Sequence, residues 1–182
     1  MADQHTDSIL FEQFRRGSHS ALAALYHRHR PGMLRFCLKL LRDRQAAEDA
    51  VQNTFLKLQT AAAGPVKAGS VKSWMYTVAR NEAFGELRRK AGILPDEEPV
   101  WSGSLPDGLL EEQDRTAAVA AMLNALYPTF REVIVLREYD QLSYEEIAAV
   151  TGTSIASVKS RLFKARKAML DRLSEHYPEG SL

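Results

Sequence analysis

The chain has 182 residues, 45% of them hydrophobic, which suffices for one or two small cores. A formal net charge of +1 excludes a uniform cationic coat for nucleic acid, and a single cysteine, Cys37, excludes an internal disulfide. No stretch reaches the roughly 18 consecutive apolar residues of a membrane helix, and the N-terminus lacks the basic-then-apolar build of a signal peptide, so a cytoplasmic protein is expected.

In chain order, helical patterns dominate and strand signals are nearly absent. A short helix is expected over Asp7 to Arg16 and a long one over Ser20 to Arg42, whose apolar run holds Cys37 as a small core residue. His27 and His29 are two apart, which points them in different directions on a helix and argues against a metal pair. A third helix spans Gln45 to Thr60, with Ala47, Ala50, Val51, Phe55 and Leu58 turned inward. That phase leaves Glu48, Asp49, Gln52, Asn53 and Leu56 on the outer face, where a leucine among hydrogen-bonding groups suits a partner surface.

A loop with Gly and Pro covers Ala61 to Ser70, and a fourth helix begins near Ser73 with Trp74, Val78 and Leu87 as its expected inner stripe. The segment Val71 to Lys90 carries Lys72, Arg80, Arg88, Arg89 and Lys90 against only Glu82 and Glu86. From Ala91 to Asp114 the balance reverses to seven acidic residues with no Lys or Arg, and Pro95, Pro99, Pro106 and three glycines interrupt any period: this is an acidic linker. In Leu123 to Leu136, Pro128 closes one helix and opens the next, and the stretch is expected to pack beneath the carboxy-terminal helices.

Residues Gln141 to Leu170 read as two helices around a tight turn. Ser143 and Glu146 form a capping box, Gly152 supplies the reversal, and Ser154 caps the second helix. Val158, Leu162, Ala165 and Met169 recur at helical spacing and face Ile147 and Val150, while Lys159, Ser160, Phe163, Lys164 and Lys167 share the opposite face. Between Thr153 and Leu170 there are five cations and no Asp or Glu, and the helix opens on the small residues Ala156 and Ser157, which permit deep entry into a major groove. The pattern is that of a DNA-reading helix-turn-helix. There is no glycine-rich phosphate loop and no acid, base and nucleophile set, so neither an enzyme nor a bound cofactor or metal is expected.

AEDAVQNTFLKL at Ala47 to Leu58, SWMYTVARNEAFGELRRK at Ser73 to Lys90, and the helix-turn-helix, in that order, resemble conserved regions two and four of an extracytoplasmic-function (group IV) sigma factor of the sigma-70 family. The resemblance implies an all-α protein of two small helical domains: residues 1–90 as region two, 91–114 as linker, 115–175 as region four and 176–182 as a tail. It implies a dissociable initiation subunit that binds core RNA polymerase through the beta-prime clamp helices and the beta flap, recognises promoter DNA at its −10 and −35 elements, and is controlled by an anti-sigma factor. By the same resemblance Asp49, Gln52, Asn53 and Leu56 meet the polymerase, with Asn53 standing where the family commonly has Glu. Lys67, Ser70, Lys72, Arg80, Asn81, Arg88 and Arg89 fall to the −10 strand, and Ser157, Lys159, Ser160, Arg161, Phe163, Lys164, Arg166 and Lys167 to the −35 element. A helix-turn-helix repressor or activator outside the polymerase is the alternative reading. A response regulator would need a strand-rich domain that residues 1–90 do not offer.

Overall fold

The computed structural model describes residues 2–61, 71–91, 100 and 115–176. The described residues are helical and contain no strand. The order is α1 (Ala2–Arg15), α2 (His19–Leu41), α3 (Arg44–Ala61), α4 (Val71–Ala91), α5 (Arg115–Ala125), α6 (Pro128–Ile134), a π-helical turn (Val135–Tyr139), α7 (Tyr144–Thr151) and α8 (Ile155–His176). The expected helices are all present, with ends shifted by a few residues. Most of the expected linker, and the loop residues Lys67 and Ser70, lie outside the described residues.

Local chemistry accounts for the helix ends. Ser18 accepts from the Ala21 amide to start α2, and Arg42 closes that helix in the left-handed region at φ 55°, its amide reaching the Leu38 carbonyl. Pro128 sits in the first turn of α6, where its missing amide costs nothing. Ser143 accepts from the Glu146 amide while Glu146 accepts from the Ser143 amide, so the capping box is complete. Gly152 ends α7 at φ 66°.

Helices α1 to α4 pack around Phe11, Leu25, Met33, Phe36, Leu40, Phe55, Leu58 and Met75, and α5 to α8 around Leu123, Leu126, Val133, Leu136, Ile147, Val150, Val158 and Leu162. The two sets run together into one apolar cluster, because α4 lies against α7 and α2 against α6. The inner face of α3 is as expected. That of α4 is not: Val71, Met75, Tyr76, Ala79, Ala83 and Phe84 are buried, whereas Trp74, Val78 and Leu87 are only half-buried. The stripe is turned by one residue, about 100°, because α4 packs against α1, α2, α3 and α7 and its small Ala79 and Ala83 let neighbours approach.

Candidate nucleic-acid interface

Helix α8 divides into an inner and an outer face along the predicted phase. Val158, Leu162 and Ala165 are buried and Met169 packs half-buried beside them, while Lys159, Ser160, Phe163, Lys164 and Lys167 are exposed. The amide of Ser157 is held by the Ser154 hydroxyl at 3.1 Å, which fixes the start of the helix. Phe163 is 69% exposed, an aromatic ring standing in solvent between cations. Such a face offers bonding to base edges, apolar contact for a thymine methyl, and charge for phosphates. Tyr144, at the first position of α7, has the Arg137 guanidinium 5.0 Å and the Lys159 ammonium 5.8 Å from its ring centre. Arg166 pairs with Glu138 at 2.5 Å.

Arg161 differs from its neighbours. Its side chain points inward and its buried Nη1 forms an ion pair 3.7 Å from the Glu132 carboxylate, too long for a hydrogen bond.

On α4, Asn81, Arg88 and Arg89 are exposed, Arg89 pairing with Glu86. Lys90 ties the end of this helix to Asp43 at 2.7 Å. Arg80 instead grips Glu132 with two nitrogens, Nε at 2.5 Å and Nη2 at 3.1 Å, and stacks its guanidinium 4.4 Å from the Phe84 ring centre. Lys72 is half-buried and lines, with Arg35, Tyr76 and Asp140, a cleft of about 380 Å³ between the two helical sets.

On α3, Asp49, Gln52, Asn53 and Leu56 form one exposed strip, Leu56 being 51% exposed. Asp49 accepts from Gln45 at 3.0 Å, and Asn53 donates to Glu82 at 3.2 Å. The Lys57 hydrogen bond holds the Glu82 carboxyl below its ordinary range. Beside Gln52 and Leu56 lies an apolar notch of about 320 Å³ lined by Leu22, Tyr26 and Phe55. A polar strip bordering an apolar notch suits a helical partner.

The residues that join the two sets were not singled out by sequence reasoning. Arg131 is 1% exposed and donates to five carbonyls: Leu123, Asn124 and Leu126 around the end of α5, and Lys39 and Leu40 at the end of α2. Burial brings its pKa down to about 10, which leaves it cationic at neutral pH, compensated by carbonyls that a helix end leaves open. Glu132 is fully buried. Arg35 reaches Asp140 at 2.5 Å and the Tyr139 carbonyl at 3.3 Å, and Lys39 lies 4.1 Å from the Tyr139 ring centre. Burial raises the Asp140 carboxyl above its ordinary value, against the opposing pull of Arg35 and Lys72. A Cβ on Gly32 would stand 2.7 Å from the Tyr76 hydroxyl, so a larger residue here would require the Tyr76 side chain to shift. The signal in the sequence was an Arg-Glu pair inside the otherwise apolar run PTFREVIVL.

Among the described residues no group of His, Cys, Asp and Glu could hold a metal, and no helix is long and apolar enough to cross a membrane. Cys37 is buried, and desolvation with the nearby Asp140 and Glu82 charges pushes its thiol up to about 12, far from the range of a redox-reactive cysteine.

Comparison with known proteins matches two family models in chain order, "Sigma-70 region 2" over residues 25–93 and "Sigma-70, region 4" over residues 116–169. The chain is 29% identical to the ECF RNA polymerase sigma-E factor of Escherichia coli K12 over 182 aligned residues, covering 93% of this chain and 95% of that one. Among solved structures it is similar in fold to CnrH, seen in complex with the cytosolic domain of CnrY, with TM-score 0.71, 22% identity and coverage of 93% and 98%. It is also similar in fold to the sigma factor RpoE of Bartonella quintana, seen in complex with the anti-sigma factor NepR, with TM-score 0.65, 24% identity and coverage of 84% and 96%.

Proposed function

We propose that this chain, which belongs to the extracytoplasmic-function group of the sigma-70 family, works as the RNA polymerase subunit that directs the core enzyme to specific promoters and starts transcription there. As such it is a regulatory subunit and not a catalyst, and it acts in the cytoplasm, where the polymerase is. The observation that carries the reading is the pairing of two exposed faces: the cationic outer face of α8 around Phe163, and the polar strip with its apolar notch on α3.

In this reading residues 1–90 form region two and residues 115–175 region four, with 91–114 as the acidic linker between them. Lys159, Ser160 and Phe163, with Arg161 once it is freed from the interior, address the bases of the −35 element. Lys164, Arg166 and Lys167 hold phosphate, and Ser157 borders the groove. Asn81 reads a base of the −10 strand, while Lys72, Arg80, Arg88 and Arg89 carry its phosphates, and Lys67 and Ser70 contact the same strand. Asp49, Gln52, Asn53 and Leu56 dock on the clamp helices of the beta-prime subunit, and region four meets the beta flap. An anti-sigma protein competes for these polymerase-binding faces; the similar RpoE is seen in complex with the anti-sigma factor NepR. With Cys37 buried, any redox signal acts on that partner.

Competition for core polymerase tests the docking surface. Asp49→Ala with Gln52→Ala removes two exposed polar groups outside the apolar stripe, so the thermal melt should match the parent while competition for core falls at least tenfold, about 1.4 kcal/mol. A double variant that melts like the parent and competes equally well would move the docking surface elsewhere.

A further inference from the structure

The cleft of about 380 Å³ between α2, the start of α4 and the segment after the π-helical turn has a composition of its own. Arg28, Gly32 and Arg35 follow one another along one side of α2, and Lys72 and Tyr76 along one side of α4. Gly32, between the two arginines, contributes only backbone, so no side chain fills the space next to the Tyr76 hydroxyl. Three lasting cations, Arg28, Arg35 and Lys72, thus line the cleft with one carboxylate, Asp140.

The arginines are held but not used up. Arg28 spends Nη1 on Asp7 at 2.8 Å and Arg35 spends Nη2 on Asp140 at 2.5 Å, with side chains 36% and 44% exposed. A guanidinium has five N–H donors, so both keep donors for a second anion. Lys72 lies near enough to draw the Asp140 titration down, yet makes no ion pair among the described residues. An ammonium without its own anion, between two guanidinium groups with donors to spare, suits a phosphate.

Tyr139 supplies a different chemistry at the same cleft. Its residue is 37% exposed, and the Lys39 ammonium steadies the ring from 4.1 Å. A planar base stacks on such a ring whatever its sequence identity. The volume is at the small end of ligand sites, which run from about 300 to 1,000 Å³, and so fits one nucleotide.

We propose that this cleft binds a mononucleotide, with Arg28, Arg35 and Lys72 taking the phosphate and the Tyr139 ring stacking on the base. The inference stands on the cleft alone and goes beyond the sigma-factor reading, to which it adds a small-molecule ligand. Because the nucleotide binds the folded chain, it should also raise the thermal midpoint as its concentration rises.

The test uses the full chain without polymerase or DNA, so its failure leaves the sigma-factor reading where it stands. Adenosine monophosphate is the probe, with ribose phosphate and adenosine as its two halves. Calorimetric titration should show one site for adenosine monophosphate with Kd of about 1 mM or tighter, with ribose phosphate weaker and adenosine weaker still. Lys72→Ala should weaken adenosine monophosphate and ribose phosphate alike, at least tenfold. Tyr139→Ala should bring adenosine monophosphate down to the level of ribose phosphate and leave the latter unchanged. Arg15→Ala, which removes an exposed cation of α1 outside the cleft, should bind as the parent does. Photolysis of azidoadenosine monophosphate on the parent chain should label peptides holding Lys72 or Tyr139, which locates the site even where a variant fails to fold. No binding of adenosine monophosphate at millimolar concentration overturns the proposal. So does parental affinity in a folded Lys72→Ala chain, or labelling confined to α8.

Discussion

Lys159 and Lys167 lie on the same exposed face of α8 two turns apart, and the proposed function gives them different tasks. Lys159 sits near the start of the helix, where a recognition helix meets base edges, and its ammonium is steadied against the Tyr144 ring. Lys167 is further along, where the proposed docking would bring it to the backbone. Lys159→Ala should therefore cost about 1–3 kcal/mol on a matched −35 site and little on a scrambled one. Lys167→Ala should weaken both alike and flatten the salt dependence. Anisotropy titrations on the two duplexes check this, and equal losses for Lys159→Ala would remove it from base reading. Asp7 presents a different residue-scale case. Burial alone would raise its carboxyl, but the hydrogen bonds and charges of His29 and Arg28, each at 2.8 Å, bring it below the ordinary 3.8. A carboxyl whose folded pKa is depressed stabilises fully above its unfolded value, and that contribution is lost as pH falls through the folded one. Asp7→Asn should thus lower urea stability at pH 7 and show a smaller further loss than the parent between pH 4 and pH 2.

At the scale of elements, the caps matter most where the helix is shortest. Helix α7 has eight residues, too few to be stable by propensity, and depends on its capping box and on the buried Ile147 and Val150. Ser143→Ala removes the hydroxyl that takes the Glu146 amide, and should cost about 1 kcal/mol in denaturant melts of the full chain. Ser143→Thr should recover most of it, and a variant indistinguishable from the parent would mean that packing alone holds α7. This helix and α8 were legible because cap, glycine reversal and apolar period all agreed. The inner stripe of α4 was not. Its neighbours on several sides, and not its own period, decide which arc is buried, so Trp74, Val78 and Leu87 gave way to Met75, Ala79 and Ala83. The π-helical turn at Val135–Tyr139 left no local mark either; around it Arg137 donates to the Leu142 carbonyl and Arg35 to the Tyr139 carbonyl.

At the scale of the whole molecule, two helical sets and the acidic stretch between them could be read from charge and period, as could the three exposed strips of the candidate site. Their closure could not. It depends on pairs 52 and 105 residues apart, Arg80 with Glu132 and Arg35 with Asp140, and no local pattern marks which cation a buried carboxylate will meet. Arg80 and Arg161, expected from the sequence to contact DNA, pair with Glu132 inside the protein, whereas Lys159, Phe163 and Asn81 are exposed. The most direct measurement is run-off transcription on genomic fragments with core polymerase reconstituted with and without the chain. The account predicts discrete transcripts from particular promoters only when both are present, lost on Asp49→Ala with Gln52→Ala. A chain that binds specific DNA tightly by itself, yet yields no transcript with core polymerase on any fragment, would contradict it.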